Sequence, residues 1–347
     1  MGRARLKIAI LYDTWDDGVE EPTAPEMPPP PGVRERPPAK APKLDREEIF
    51  EALCELRHRP SYLVVDGRDK SLLAIARCKA DLIFNLTESY AGDDTKDVHL
   101  AAYLELLGKP YTGADPHGLY LAQDKALAKK LFAFHGIRTP AFAVSRDGEV
   151  GSAREIAFPL IVKPIAEDGS IGIEAESVVH GLTELKEQIR RVHREFDSPA
   201  LIEEYIDGRE IYAAILGDEK PEALPLVEMD LSGLPRDLPR IASGEVKWGK
   251  GTEVYRSVRS RVVEDLDRKL VARIQAQAVA AYRAVKLRDY GRIDLRLTPG
   301  GEVYVLEANP NPWLSSGAEF AMAARASGRT YTEMLRDIVD LAMARCA

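Results

Sequence analysis

Short apolar runs alternate with stretches of helical period along the first third of the chain. The pattern predicts a buried strand over 7–12 (KIAILY), a helix over 44–58, a strand over 62–67 (YLVVDG), a helix over 70–79 and a strand over 80–87 (ADLIFNLT). A helix over 98–107 follows and closes at Gly108 as a C-cap. Strands alternating with helices indicate a parallel α/β sheet up to about residue 115. Within this region, 20–42 (EEPTAPEMPPPPGVRERPPAKAP) reads neither as helix nor as central strand, because its prolines fix φ and remove donors. It is expected to be an extended solvated insertion, with a lid over a site as the alternative.

The next stretch predicts a helix over 120–135, strands over 141–145 (AFAVS) and 159–164 (PLIVKP), and a glycine-bearing segment at 166–173 (AEDGSIGI). A helix over 183–194 and a strand over 200–206 (ALIEEYI) complete it. After DGRE the pattern turns strand-rich, at 211–217, 223–230 and 252–258 (TEVYRSV). A long helix over 264–286, a hairpin at 292–309 and a C-terminal helix end the chain, with no internal repeat.

The 347 residues suit two or three domains. A net charge of −8 argues against general nucleic-acid or anionic-membrane binding, which needs basic surface. Cys54, Cys78 and Cys346 lie far apart without a CxxC pair, so reduced thiols and a cytoplasmic setting are expected. No apolar run approaches the roughly 18 residues of a membrane span. The opening MGRARLKIAILYDTWDD reads as a first core strand and not as a leader, since it breaks into acids with no small-residue cleavage site.

Several familiar signatures fail on context. GEVKWGKGT at 244–252 matches a GxxxxGK phosphate loop in letters, but such a loop works between a buried strand and a helix. Here DLPRIAS precedes it, a strand-like TEVYRSV follows, and Val246, Lys247 and Trp248 would crowd a tight nest. The first strand is followed by YDTWDDGVEE, with no GxGxxG. Kinase HRD and DFG signatures are absent, and the six histidines form no ligand pair.

The hairpin RIDLRLTPGGEVYVLEAN (292–309) is different, because polar groups interrupt its apolar pattern. Residues at i and i+2 on a strand share a face. Arg292 and Asp294 therefore share one, Glu307 and Asn309 another, and pairing about the TPGG turn brings the two together. Two carboxylates and an amide oxygen suit Mg²⁺ that also binds phosphate, and a guanidinium beside them stabilises charge on a transferring phosphoryl group or an oxyanion. The alternative is a structural salt-bridge cluster, which would be costly in a core without a ligand.

With these residues in order, the chain from Leu82 onward resembles the ATP-grasp superfamily, and more closely the D-alanine–D-alanine ligases and their relatives. LELLGKPYTG, DKALAKKLFAFHGIRTP, FPLIVKP with AEDGSIGI, LIEEYIDGREIYAAIL, GRIDLRL and VLEANPNP carry the resemblance. It implies an ATP-grasp fold of α/β and α+β parts. An N-terminal Rossmann-like domain would span 1–115 with the insertion at 20–42, a central subdomain 116–207, and a C-terminal subdomain with the metal and catalytic residues 208–347.

By the same resemblance Lys125 and Lys163 would hold the α- and β-phosphates, and Gly169, Ser170 and Gly172 would let a loop fold over them. Glu203 would bind the adenine amino group, Glu210 the ribose hydroxyls, and the backbone from Glu204 to Ile206 would read the base. Lys247 would reach the transferring phosphate from a mobile loop. Asp294, Glu307 and Asn309 would bind two Mg²⁺, for which Mn²⁺ would substitute. Arg292, Lys247 and Ser170 form the catalytic set.

The implied reaction activates a carboxylate as an acyl phosphate and then joins it to an amine, so no nucleophilic Ser or Cys is needed. Amino acids or small peptides would be the substrates, with no nucleic-acid or membrane partner, and the protein would form a homodimer. The substrate shell departs from the family pattern. Asp13, Asp16 or Asp17 stand where a substrate-binding Glu is usual, and Glu88 lies where a His-Gly segment would be. Trp248 replaces a tyrosine, Trp313 a glycine, and Ala318 a serine that would hold a carboxylate, for which Ser315 or Ser316 would compensate. D-alanine itself is therefore in question. A ligase making a different amide, a nucleotide-binding relative without ligase activity, and a nicotinamide-dependent enzyme are the alternatives.

Overall fold

The structure, a computed structural model, describes residues 5–14, 43–165, 167 and 169–345. The proline-rich insertion, Asp16, Asp17 and Cys346 lie outside the described residues.

Strands β1 (Lys7–Asp13), β2 (Arg59–Val65) and β3 (Leu82–Asn85) form a parallel sheet in the order β2-β1-β3. Helices α1 (Asp45–Glu55), α2 (Asp69–Arg77), α3 (Asp97–Leu106) and α4 (Pro116–Gln123) accompany it. Ile8, Ile10, Leu82 and Phe84 are fully buried, as expected for strands covered on both faces.

A second, four-stranded sheet follows α5 (Lys125–Phe134). Its strands β4 (Phe142–Ser145), β5 (Leu160–Pro164), β6 (Val178–Val179) and β7 (Ala200–Glu204) run β4-β7-β5-β6, all antiparallel. Helix α6 (Leu182–Phe196) buries Leu185, Ile189 and Val192 against it, a stripe of helical period.

The third sheet has six strands: β8 (Arg209–Leu216), β9 (Glu222–Ala223), β10 (Val227–Asp230), β11 (Arg259–Val262), β12 (Tyr290–Leu297) and β13 (Val303–Asn309). The order is β11-β10-β8-β12-β13, with β9 on β8. The short helices α7 (Gly244–Trp248) and α8 (Glu253–Ser257) lie between β10 and β11, and α9 (Arg268–Ala284) backs the sheet. Helices α10 (Glu319–Ala326) and α11 (Tyr331–Ala344) close the chain. One core joins Ile8, Ile10 and Phe84 of the first sheet to Tyr290, Phe320 and Ile338, so the N-terminal strands are anchored on the C-terminal elements.

Four local expectations are corrected. The helix expected over 120–135 is two, broken at Asp124, which ends α4 and caps α5 by accepting from Leu127 N at 2.9 Å. Residues 252–258 form no strand: Thr252 accepts from Tyr255 N at 3.1 Å and starts α8. The strand expected over 223–230 is interrupted, as β9 and β10 flank Leu224–Pro225–Leu226. The C-terminal helix is two, separated by the Ser327–Gly328 turn.

Candidate active site

The hairpin β12–β13 sets Arg292 opposite Asn309 and Asp294 opposite Glu307, and it does so through a β-bulge between Asp294 and Leu295 that shifts by one the register set at the turn. On the other side of β12, Tyr212 of β8 faces Asp294 and Glu210 faces Arg296. Cross-strand neighbours share a face, so Glu210, Tyr212, Arg292, Asp294, Arg296, Glu307 and Asn309 form one polar surface. The opposite face is apolar, with Ile211, Ala213, Ile293 and Leu295 buried under α9.

Arg292 donates from Nε and Nη2 to the two carboxylate oxygens of Asp294, at 2.7 and 2.9 Å. Its guanidinium carbon lies 4.6 Å from the centre of the Tyr212 ring, and its Nη1 is 3.9 Å from Glu319 Oε2. Burial pushes the Asp294 carboxyl up to about 6, against the pull of Arg292. Burial pushes Glu307 the same way, but Lys125, Lys163, Lys247 and Arg292 outweigh it and hold Glu307 down at about 2. Asn309 Nδ2 donates to Arg292 O at 3.5 Å, which turns its carbonyl oxygen away from that contact.

A second charged group stands on β5, β7 and α5. Glu203, almost fully buried, lies 3.0 Å from Lys163 Nζ and 3.3 Å from Lys129 Nζ. Burial would raise Glu203, yet the two ammonium groups hold it below the usual carboxylate range. Lys125 precedes Lys129 by one helical turn on the same face of α5. It donates to Glu167 O at 2.6 Å and lies 3.9 Å from Glu307, tying the glycine loop to the hairpin.

The glycine loop bends through left-handed backbone at Gly169, Ser170 and Gly172. Gly172 has no alternative there, since a Cβ would approach Pro164 to 2.7 Å and Phe196 to 2.9 Å. Lys247 and Trp248 sit on α7, a capped helix and not the loop expected for them. The segment 244–252 is still no Walker loop: an irregular stretch precedes it where a buried strand is required, although the expected following strand is the helix α8. Trp248 Nε1 donates to Gly169 O at 2.7 Å, and Gly244 N donates to Ile173 O at 3.0 Å. These bonds fasten α7 to the glycine loop. A cavity of about 540 Å³ lies between them, lined by Ile171, Ile173, Ile241, Val246 and Trp248.

The remaining sequence-predicted residues separate into groups. Glu210 is buried and paired with Arg296 at 2.9 Å, while Arg296 also donates to Gly208 O at 2.8 Å. The Glu204 backbone N donates to Ala141 O at 2.8 Å, and Ile206 is buried. Ser316 donates from its N and Oγ to Glu48, at 2.7 and 2.6 Å, and Trp313, about half exposed, stands beside Asp45. Ser315 is half-buried and its carbonyl accepts from Ala318 N at 2.9 Å. Glu88 is exposed beside the buried Tyr290, which Asp45 also faces. Asp13 Oδ2 accepts from Glu88 N, Ser89 N and Ser89 Oγ, so it shapes that loop.

Sequence reasoning missed Lys129, Arg296 and Glu319. Lys129 had a readable signal, its i+4 spacing from Lys125 on a helix face.

Among the described residues no cluster of three or more His, Cys, Asp or Glu could hold a metal. The donor set at the hairpin is two carboxylates and an amide, hard oxygen ligands suited to Mg²⁺ completed by phosphate and water. Each carboxylate offers about four lone-pair directions, so Asp294 can keep both Arg292 bonds and still ligate. Lys125, Lys163 and Lys247 around this set supply the complement to a polyphosphate.

The whole arrangement is that of an ATP-grasp fold. The solved D-alanine–D-alanine ligase of Bacillus anthracis complexed with ATP superposes with a TM-score of 0.69 at 22% identity, covering 98% of each chain. The VanG D-Ala:D-Ser ligase of Enterococcus faecalis gives 0.71 at 21%, covering 98% of this chain and all of that one. Residues 131–340 match the family described as D-ala D-ala ligase C-terminus. The D-alanine–D-alanine ligase of Bordetella petrii is 33% identical over 278 residues, 79% of this chain and 80% of its own. An uncharacterized protein of Sinorhizobium fredii, y4sG, is 34% identical over 309 residues, 86% and 87% of the two chains. The chain belongs to the D-alanine–D-alanine ligase family, and is an ATP-dependent ligase of the kind that forms C–N bonds. Among the described residues no helix is long and apolar enough to cross a membrane.

Proposed function

We propose that this protein uses ATP and Mg²⁺ to join two amino acids, or an amino acid and a related amine, through an acyl phosphate. The observation that carries the reading is the single sheet face on which Arg292, Asp294, Glu307 and Asn309 meet, facing the cations of Lys125, Lys163 and Lys247. Asp294, Glu307 and Asn309 would hold the metal, which when bound neutralises phosphate charge. Lys125 and Lys163 would bind the α- and β-phosphates beneath the glycine loop of Gly169, Ser170 and Gly172. Glu203 would accept from the adenine amino group, Glu204 to Ile206 would follow the base edge, and Glu210, steadied by Arg296, would accept from the ribose.

In the first step a substrate carboxylate oxygen attacks the γ-phosphorus, the bond to the β,γ-bridging oxygen breaks, and ADP leaves. Lys247 would follow the transferring phosphoryl group, and α7 would exclude water by its bonds to the glycine loop. In the second step an amine attacks the acyl carbon, Arg292 stabilises the oxyanion, and phosphate departs as the amide forms and the amine loses a proton.

The acceptor end supports an amine other than D-alanine. Ala318 has no hydroxyl, Ser316 is committed to Glu48, and Glu319 stands 3.9 Å from Arg292 where a substrate carboxylate would be repelled. A cytoplasmic homodimer, with the three-part division at about residues 115 and 207, belongs to the same reading.

The test combines purified protein, ATP, Mg²⁺ and a mixed pool of D- and L-amino acids, with hydroxylamine as a second acceptor. Mass spectrometry should find a new amide with stoichiometric ADP and phosphate. ATP binding without amide or hydroxamate across the whole pool would refute the reading.

A further inference from the structure

Lys129 has no place in the chemistry above, yet it is the most deeply buried cation of the site, with no exposed surface. A lone buried ammonium is costly unless paired. Its Nζ lies 3.3 Å from Glu203 Oε2 and donates to Thr139 Oγ1 at 3.0 Å. Lys163 Nζ lies 3.0 Å from the other oxygen, Oε1, as an ion pair. Two ammonium groups therefore share one carboxylate, one at each oxygen. A carboxylate oxygen has lone pairs for more than one partner, so Oε1 keeps room for a further donor. A donor from a ligand fits there.

We infer that Lys129 is a positioning residue for nucleobase selection: it anchors Glu203 through Oε2 and keeps it ionised, leaving Oε1 to accept from a purine 6-amino group. This rests on the ligase reading, in which Glu203 meets the base. An ionised, anchored carboxylate offers no proton, so it favours a 6-amino purine over a 6-oxo or unsubstituted one. Lys163 has a different task, since its charge serves the phosphates, which all purine nucleotides share.

The arrangement also bears on protonation. Burial, opposed by Glu203 and aided by Lys163, brings the Lys129 ammonium down to about 8. The charged groups facing it are Glu203, Lys163 and Glu307. Above that pH the carboxylate loses the charge of its anchor.

The experiment measures binding of ADP and of purine riboside diphosphate, which lacks the 6-amino group, to the full chain by calorimetry. The wild type should prefer ADP by tenfold or more. Lys129→Met should bring the preference close to one, with a far smaller change for the analogue, and Lys129→Arg should restore most of it. A purely structural role would weaken both ligands alike. An unchanged preference in Lys129→Met, or an equal loss for both ligands, would overturn the inference. Should Lys129→Met not fold, the wild-type preference measured from pH 6.5 to 9.5 decides: it should fall as pH passes about 8, and a flat ratio overturns the inference. If the wild type binds no nucleotide at all, the ligase reading fails; if it binds ADP selectively but Lys129→Met keeps that selectivity, only the role of Lys129 falls.

Discussion

Arg292 holds both oxygens of Asp294 from two positions away on the same strand, at 2.7 and 2.9 Å. The pairing fixes the guanidinium over Tyr212 and at the same time orients a carboxylate proposed as a metal ligand. A single contact thus couples the group that would stabilise the oxyanion to the group that would hold Mg²⁺. Loss of one oxyanion donor lowers turnover by roughly 10²–10³. For Arg292→Lys we expect ADP affinity within a few-fold of wild type and amide formation reduced by at least that factor. Arg292→Ala leaves Asp294 buried without its bidentate partner, at a stability cost of about 3–5 kcal/mol. Chemical denaturation beside a single-turnover assay separates the two effects, and parallel loss of nucleotide binding and ligation in Arg292→Lys would make the residue structural.

Trp248 is more than half exposed, yet its indole N–H reaches Gly169 O at 2.7 Å. The bond joins α7, which carries Lys247, to the loop expected over the phosphates. Phe in place of Trp248 keeps the ring and removes the donor. A hydrogen bond of this kind contributes about 0.5–1.5 kcal/mol, so Trp248→Phe should raise the KM for ATP by roughly 2–10-fold. It should also increase ATP hydrolysis uncoupled from amide formation, measured as phosphate released without product. Wild-type KM with wild-type coupling would show that the contact does not act in turnover.

The hairpin and its polar interruptions were legible, but its register was not: the TPGG turn alone would set Asp294 opposite Leu306, and a β-bulge between Asp294 and Leu295 shifts the pairing by one and turns Glu307 and Asn309 to the same face. The parallel strands were legible as buried runs. Asp124 was not, since a capping aspartate inside a helical apolar pattern looks like an exposed polar position. Helices α7 and α8 have five residues each, too few for periodicity to separate from a strand. Lys129 and Arg296 escaped notice for a different reason: a buried cation and a surface one are the same letter. Only the tertiary partners, Glu203 from β7 and Glu210 from β8, distinguish them.

Metal dependence offers a direct test of the oxygen donors. Asp294→Asn removes the charge, keeps the shape, and leaves Glu307 and Asn309 as the other proposed ligands. A titration of activity against free Mg²⁺ should then move to higher concentration by roughly tenfold or more. Chelation should abolish wild-type turnover reversibly. An unmoved Mg²⁺ curve in Asp294→Asn would take this residue off the proposed ligand set.

The cations that surround Glu307 also shape its acid response. Its carboxyl is held at about 2 because Lys125, Lys163, Lys247 and Arg292 outweigh the effect of burial. A carboxyl depressed in the folded state adds stability that is fully present above its unfolded value, near 4.3, and fades as pH falls toward 2. The depression corresponds to at most about 3 kcal/mol, from roughly 1.4 kcal/mol per pH unit. Glu307→Gln cannot titrate, so its stability should vary less between pH 4.5 and 2 than that of the wild type. Urea denaturation of both proteins across this range, without nucleotide or metal, measures the difference. Parallel curves would mean that the unfolded chain or local opening frees Glu307 from its cations well before pH 2 is reached.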